Sequence, residues 1–254
     1  MFTKFVALTG GFAAILATTL PLDDDKDSKK ASGDSTDARR AGQRGLEPFN
    51  DWVGSWRGVG QPKRGSNKGA WTEKADWEWK IDKESASMQI EIKDGKQFQA
   101  GNLSYQPDQK KFRFVATLPG DGSRTYVGER GEEGKVILTS SDEQTKDQYR
   151  LTFQMRHADR MLLLIETKPA GQPSFARVAE VGYTREGGSF AAAADGGPKC
   201  IVTGGRGTTP VQYKGKTYYV CCSGCKQAFD DDPEGIIADA AERTKKEAAD
   251  RKKK

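Results

Sequence analysis

Histidine is almost missing from this 254-residue chain, with His157 the only one. That excludes a site built on several imidazoles, and no serine or cysteine stands beside a histidine base in a nucleophile motif. Cysteine is absent from the first 199 residues. No phosphate-binding glycine loop and no internal repeat is visible, which leaves nucleotide chemistry and solenoid architectures without support. Long apolar runs are lacking too. The run from Phe5 to Leu16 is shorter than the ~18 residues that suggest a membrane span, and Gly10 and Gly11 interrupt it.

What is present at the N-terminus is the pattern of an export signal. Lys4 precedes the apolar run, and the small residues Ala17, Thr18 and Thr19 follow it, so residues 1–20 read as a cleaved signal peptide. The mature chain is then expected to be periplasmic or extracellular, with no membrane span. Residues 21–45 are charged and lack aromatics, as a disordered linker does. A second linker, 187–196, is rich in glycine and alanine. Residues 241–254 form a basic helical tail ending in Arg251 and three lysines. The tail is read as a solvated helix end, and no nucleic-acid partner is expected for an exported chain with a net charge of only +5.

Between the linkers, residues 46–186 alternate with period two. Trp77, Trp79 and Ile81 interleave with Glu78 and Lys80, and Met88, Ile90 and Ile92 with Gln89, Glu91 and Lys93. The pattern recurs in Phe112, Phe114, Ala116 and Leu118, in Tyr149, Leu151, Phe153 and Met155, and in Phe175, Arg177, Ala179, Val181 and Tyr183. About ten strands at regular spacing predict a closed antiparallel barrel, which leaves no unpaired edge.

The stretch from Phe49 to Gly60 contains Gly54-Ser55-Trp56-Arg57-Gly58-Val59-Gly60. This Gly-x-Trp-x-Gly-x-Gly run resembles the opening of the lipocalin-like (calycin) barrels, which include the nitrobindin-type haem barrels. The resemblance implies a tryptophan plugging one barrel end, with glycines permitting a strand bend, and a small hydrophobic ligand inside is left open. Haem is disfavoured. The relatives that bind it use a histidine late in the barrel, whereas His157 lies in a polar turn, and Tyr183 reads as packing.

The four cysteines, Cys200, Cys221, Cys222 and Cys225, all fall within 26 positions. Three of them read Cys-x20-Cys-x3-Cys, which brings thiolates from two pieces of backbone to one ion; zinc and copper(I) are the metals that suit such donors. The segment from Pro198 to Ala240 resembles the YHS domain, a small metal-binding cysteine module of the TRASH-like group. The matching residues are Cys200-Ile201-Val202-Thr203-Gly204, the hairpin Val211 to Val220, then Cys221, Cys225, Phe229 and Asp232-Pro233-Glu234. The resemblance implies metal binding by Cys200, Cys221 and Cys225, with Cys222 as a fourth ligand or a spare thiol. Disulfides are the competing reading for an exported chain, in three connectivities. At about 45 residues the segment is near the size at which a core alone fails, so metal is expected to supply folding energy.

The sequence thus predicts a mainly β protein: a lipocalin-like barrel of about ten strands at 46–186, followed at 197–240 by a small α+β, zinc-finger-like module. The expected function is non-enzymatic binding of a soft transition metal. A small-ligand carrier with a purely structural zinc module is the alternative, and a thiol oxidoreductase using Cys222-Ser223-Gly224-Cys225 ranks below both because no βαβ pattern surrounds it.

Overall fold

A computed structural model of the chain describes residues 37–120, 122–187 and 197–252. The expected export signal, most of the first linker, nearly all of the second and the last two lysines lie outside the described residues. Among the described residues, no helix is long and apolar enough to cross a membrane.

The first element corrects the linker boundary. Residues 37–46 are helical (α1) and run into a 3-10 turn, Glu47–Trp52. Gly42, Gln43, Leu46 and Phe49 are buried, a three-to-four-residue spacing that puts one stripe of the helix against the protein. The arginines and small residues between them gave this stretch a linker's composition. Burial by a distant partner, not intrinsic propensity, makes it a helix.

Ten strands follow: β1 (Gly54–Gln61), β2 (Trp71–Ile81), β3 (Ala86–Lys93), β4 (Ala100–Gln106), β5 (Lys111–Thr117), β6 (Ser123–Arg130), β7 (Val136–Ser141), β8 (Gln148–His157), β9 (Arg160–Lys168) and β10 (Ala176–Arg185). Each pairs antiparallel with its sequence neighbour, and β1 pairs with β10 to close the barrel. The alternation seen in the sequence is the inside-outside alternation of the wall. Trp71, Glu73, Ala75, Trp77 and Trp79 of β2 are buried, as are Met88, Ile90 and Ile92 of β3. On β10 the phase slips: a bulge between Arg177 and Ala179 leaves Arg177 exposed and buries Ala179, Glu180 and Val181 in succession.

Aromatic rings pack together in the interior. Trp52, entering from the 3-10 turn, lies 5.2 Å from Trp77 and 5.1 Å from Phe153, and Phe49 lies 4.9 Å from Phe112. Trp56 is fully buried and donates its indole N–H to the Trp52 carbonyl at 2.8 Å. The Arg185 guanidinium lies 4.2 Å over the Trp56 ring and donates to the carbonyls of Val53, Asp51 and Ala158. The expected tryptophan plug is therefore clamped from outside by an arginine. Gly54 starts β1 at φ +116°, a conformation that favours glycine, and Gly58 and Gly60 are needed for space. A Cβ on Gly58 would meet Tyr183 and Glu73, and one on Gly60 would meet the Trp71 indole.

Those three partners form a polar cluster inside the barrel. Glu73, 4% exposed, accepts the Trp71 indole N–H at 2.6 Å and the Tyr183 hydroxyl. Burial, and then the Glu73 charge, holds the Tyr183 phenol well above its ordinary pKa, so it remains a donor. Glu73→Ala leaves two buried donors without an acceptor and should cost about 3–5 kcal/mol, whereas Glu73→Gln keeps one acceptor oxygen and should cost about 1–2 kcal/mol. Urea denaturation of the two variants checks the order; equal costs would mean the cluster contributes only volume.

Beyond the barrel, β11 (Thr209–Tyr213) and β12 (Lys216–Val220) form the expected hairpin, turning at Lys214 and Gly215, both with positive φ. Then come α2 (Ser223–Asp231) and α3 (Pro233–Arg251). Asp232 caps α3 by accepting the Gly235 N–H at 2.9 Å, with Pro233 in the first turn, as its sequence predicts. Residues 241–251 of the basic tail are the second half of α3.

The C-terminal elements do not have a core of their own. Cys200, Val202, Val220, Cys225, Phe229 and Ile236 belong to one continuous buried cluster with the barrel's aromatics. Their seat is a gap in the wall. β1 starts at Gly54, opposite Trp77, while β2 continues to Ile81, so the end of β2 has β3 on one side and no β1 on the other. The N-terminus of α2 occupies that edge, and α1 closes over the far side through Arg39 and Arg40, which pair with Asp239 of α3.

Candidate metal centre

Cys200 opens a tight turn. Its N–H donates to the Gly205 carbonyl at 2.7 Å and its carbonyl accepts from the Gly204 N–H at 2.8 Å, with Gly204 at φ +77°. A left-handed residue is needed to close the loop, and glycine takes it without strain. The turn carbonyls are capped from elsewhere in the chain. Arg243 of α3 donates to Ile201 and Val202, each at 3.0 Å; Gln43 of α1 donates to Val202 at 2.6 Å; Asn50 of the 3-10 turn donates to Thr203 at 3.0 Å. Asn50 also accepts the Trp79 indole N–H at 3.1 Å, joining the turn to the barrel.

Cys221 lies just past β12, and Cys225 sits in the first turn of α2. The structure brings Cys200, Cys221 and Cys225 together, with their Sγ atoms all within 4.8 Å of one another and Cys221 to Cys225 at 3.5 Å. Thiolates each about 2.3 Å from a shared ion lie about 3.8–4.0 Å apart, so the observed spacing fits a three-sulfur site with small adjustments. Cys200 and Cys225 are completely buried, and Cys221 is half-buried. All four cysteines are free thiols.

The sulfurs share protons. Hydrogen bonds from Cys221 and Cys225 hold the Cys200 thiol far below its ordinary range against the opposing effect of burial, and Thr203 adds to them. Cys221 and Cys225 are pushed up, chiefly by the neighbouring Cys200 sulfur.

Cys222 is placed differently. It occupies the N-cap of α2 in extended backbone, and its Sγ, 3.8 Å from that of Cys221, accepts the Trp79 backbone N–H at 3.4 Å. That N–H lies on the unpaired edge of β2, so Cys222 ties the sulfur cluster to the barrel. Gly224 follows at closest approach, where a Cβ would overlap the Trp79 carbonyl oxygen. Cys222 and Cys225 do stand at a helix start, but an antiparallel hairpin precedes them where a thioredoxin-like motif has a βαβ unit. His157 is exposed at the end of β8, and the Tyr183 hydroxyl is engaged by Glu73.

No family model matches this chain, and no curated protein matches it. Among solved structures it is similar to the S-type phycobiliprotein lyase CPES from Guillardia theta, at 14% identity and a TM-score of 0.34, over 57% of this chain and 97% of that one. At that distance the likeness adds nothing to what the strand order itself shows.

Sequence reasoning identified the cysteines but missed Gln43, Asn50, Trp79, Gly224 and Arg243. Asn50 lies inside the Phe49 to Gly60 stretch, yet its acceptor, Thr203, is 153 positions away. No local pattern encodes such a pairing.

Proposed function

We propose that this chain is an exported metal-binding protein in which Cys200, Cys221 and Cys225 hold one soft ion, zinc or copper(I), in a YHS-like module seated on a lipocalin-like barrel. The observation that carries the proposal is the convergence of three sulfurs, from a turn, a strand end and a helix start, at distances that fit one ion. Soft thiolates in a largely dry pocket select such ions over hard cations. The carrier alternative needs room in the barrel, where Trp52, Trp77, Phe114 and Phe153 pack against one another and Glu73, Trp71 and Tyr183 occupy other interior positions. Export is supported by the pattern of residues 1–20.

Elemental analysis of the full chain, purified from its native compartment, tests the proposal. About one zinc or copper per chain is expected, falling to none in a Cys200→Ser, Cys221→Ser double variant. A metal-free protein with the cysteines oxidised in pairs would support the disulfide reading instead. Recovery from the cytoplasm with residues 1–20 intact would overturn the export part alone.

A further inference from the structure

Cys221 is the half-buried member of the ligand set and borders a cavity, while the fully buried Cys200 borders a separate one along α3. A pocket of about 230 Å³ is lined by Cys221, Asn50, Arg185, Glu186, Arg206 and Thr208, among others. Cys200 and Cys225 have no exposed surface, whereas Cys221 is half-buried, so solvent meets the sulfur cluster at Cys221. Three protein thiolates also leave a tetrahedral ion one position for an outside donor.

The charges around this pocket are unequally engaged. Arg185 is held by three carbonyls and by Asp159 at 3.5 Å. Glu186 pairs with Lys74 at 3.8 Å, and Asp51, also on the rim, is exposed. Among the described residues, the exposed Arg206 side chain makes no ion pair and no hydrogen bond. Both arginines line the pocket, and burial, followed by the nearby Arg206 charge, lowers the pKa of Arg185. An arginine with no carboxylate partner among the described residues, beside an accessible metal-ligating thiol, suits a small molecule carrying both a carboxylate and a thiolate.

From this geometry we infer that the pocket beside Cys221 is a docking subsite for a small mercaptocarboxylate that delivers or removes the metal, its carboxylate on Arg206 and its sulfur on the ion. The inference rests on the metal-binding reading. Transfer is a ligand exchange without redox change. Metal–sulfur bonds to the carrier break as those to Cys200, Cys221 and Cys225 form; the ion keeps its charge, and protons from the cysteine thiols pass to the departing carrier thiolates or to solvent.

The test presents Cu(I) to the reduced full chain as its 3-mercaptopropionate complex or its 2-mercaptoethanol complex, which lacks the carboxylate, and follows the rate of loading by stopped-flow absorbance. Wild type should load about tenfold faster from the carboxylate donor at low salt, an advantage that Arg206→Ala and high salt should abolish and Arg206→Lys should partly restore. The final stoichiometry should stay at about one ion throughout. Normal loading with no donor preference, or a preference that survives Arg206→Ala, overturns this inference alone. A chain that takes Cu(I) from neither donor overturns it together with the metal-binding reading.

Discussion

Cys200→Ser should lower metal affinity by more than about 100-fold, because removing a direct ligand exceeds the 10- to 100-fold cost typical of an outer-shell partner. Cys221→Ser and Cys225→Ser should match it, while Cys222→Ser should lose about tenfold, the low end of the outer-shell range, its sulfur being committed to the Trp79 N–H. Chelator competition on the four reduced variants measures this. Equal losses at all four would identify a four-thiolate site and a stabilising role for the metal. Removing metal from the wild type should loosen residues 197–252 and leave the barrel intact, because Trp52, Trp77 and Phe153 pack together without any contribution from the cysteines. Hydrogen exchange reads both regions at once. Protection of 197–252 that does not change on chelation would show that the shared core suffices without the ion.

Gly224→Ala is expected to be the most damaging single-methyl change near the site. The added Cβ meets the Trp79 carbonyl oxygen, which is backbone and cannot rotate aside, so α2 must move off the β2 edge. That movement breaks the Cys222 contact with Trp79 and the Ser223 contact with Glu78, and shifts Cys225 away from Cys200. A destabilisation of about 3 kcal/mol is expected, the upper part of the overpacking range with lost hydrogen bonds added, together with weaker metal binding. Gly182→Ala is the control, since nothing lies within 4 Å of a Cβ placed there. Thermal denaturation and chelator competition on both variants decide it. If the Gly224 variant behaves like the Gly182 control, then α2 does not seat on β2 as described.

The barrel and the sulfur cluster were legible for different reasons. Period-two alternation, as in Trp77 and Trp79 against Glu78 and Lys80, is a local consequence of one wall facing water and the other facing a core. It therefore survives in the linear sequence and predicted the barrel of about ten strands. The bulge at Arg177 on β10 and the register shift between Met155 and His157 on β8 are exceptions, because an extra residue shifts the phase without leaving a compositional mark. Cys200, Cys221 and Cys225 were legible through residue type, since thiols so clustered in an otherwise cysteine-free chain point to one chemistry. Asp232 and Pro233 marked their helix start through a cap that spans only a few residues.

Everything that joins the two parts was decided in three dimensions. The seat for α2 exists because β1 starts opposite Trp77 while β2 runs on to Ile81, an offset that belongs to the closed barrel and to neither strand alone. Only that offset gives Trp79 a free N–H for Cys222 and makes glycine necessary at position 224. The caps on the Cys200 turn come from Gln43, Asn50 and Arg243, which meet only after the barrel has brought residues some 40 to 160 positions distant to one side. Residues 37–46 become helical for the same reason, with burial against the module overriding a linker-like composition. The sequence by itself determined which residues face inward and which can hold a metal. The tertiary structure decided which buried polar groups find partners, because an unpaired carbonyl or N–H is satisfied by whatever donor or acceptor the completed fold brings within reach.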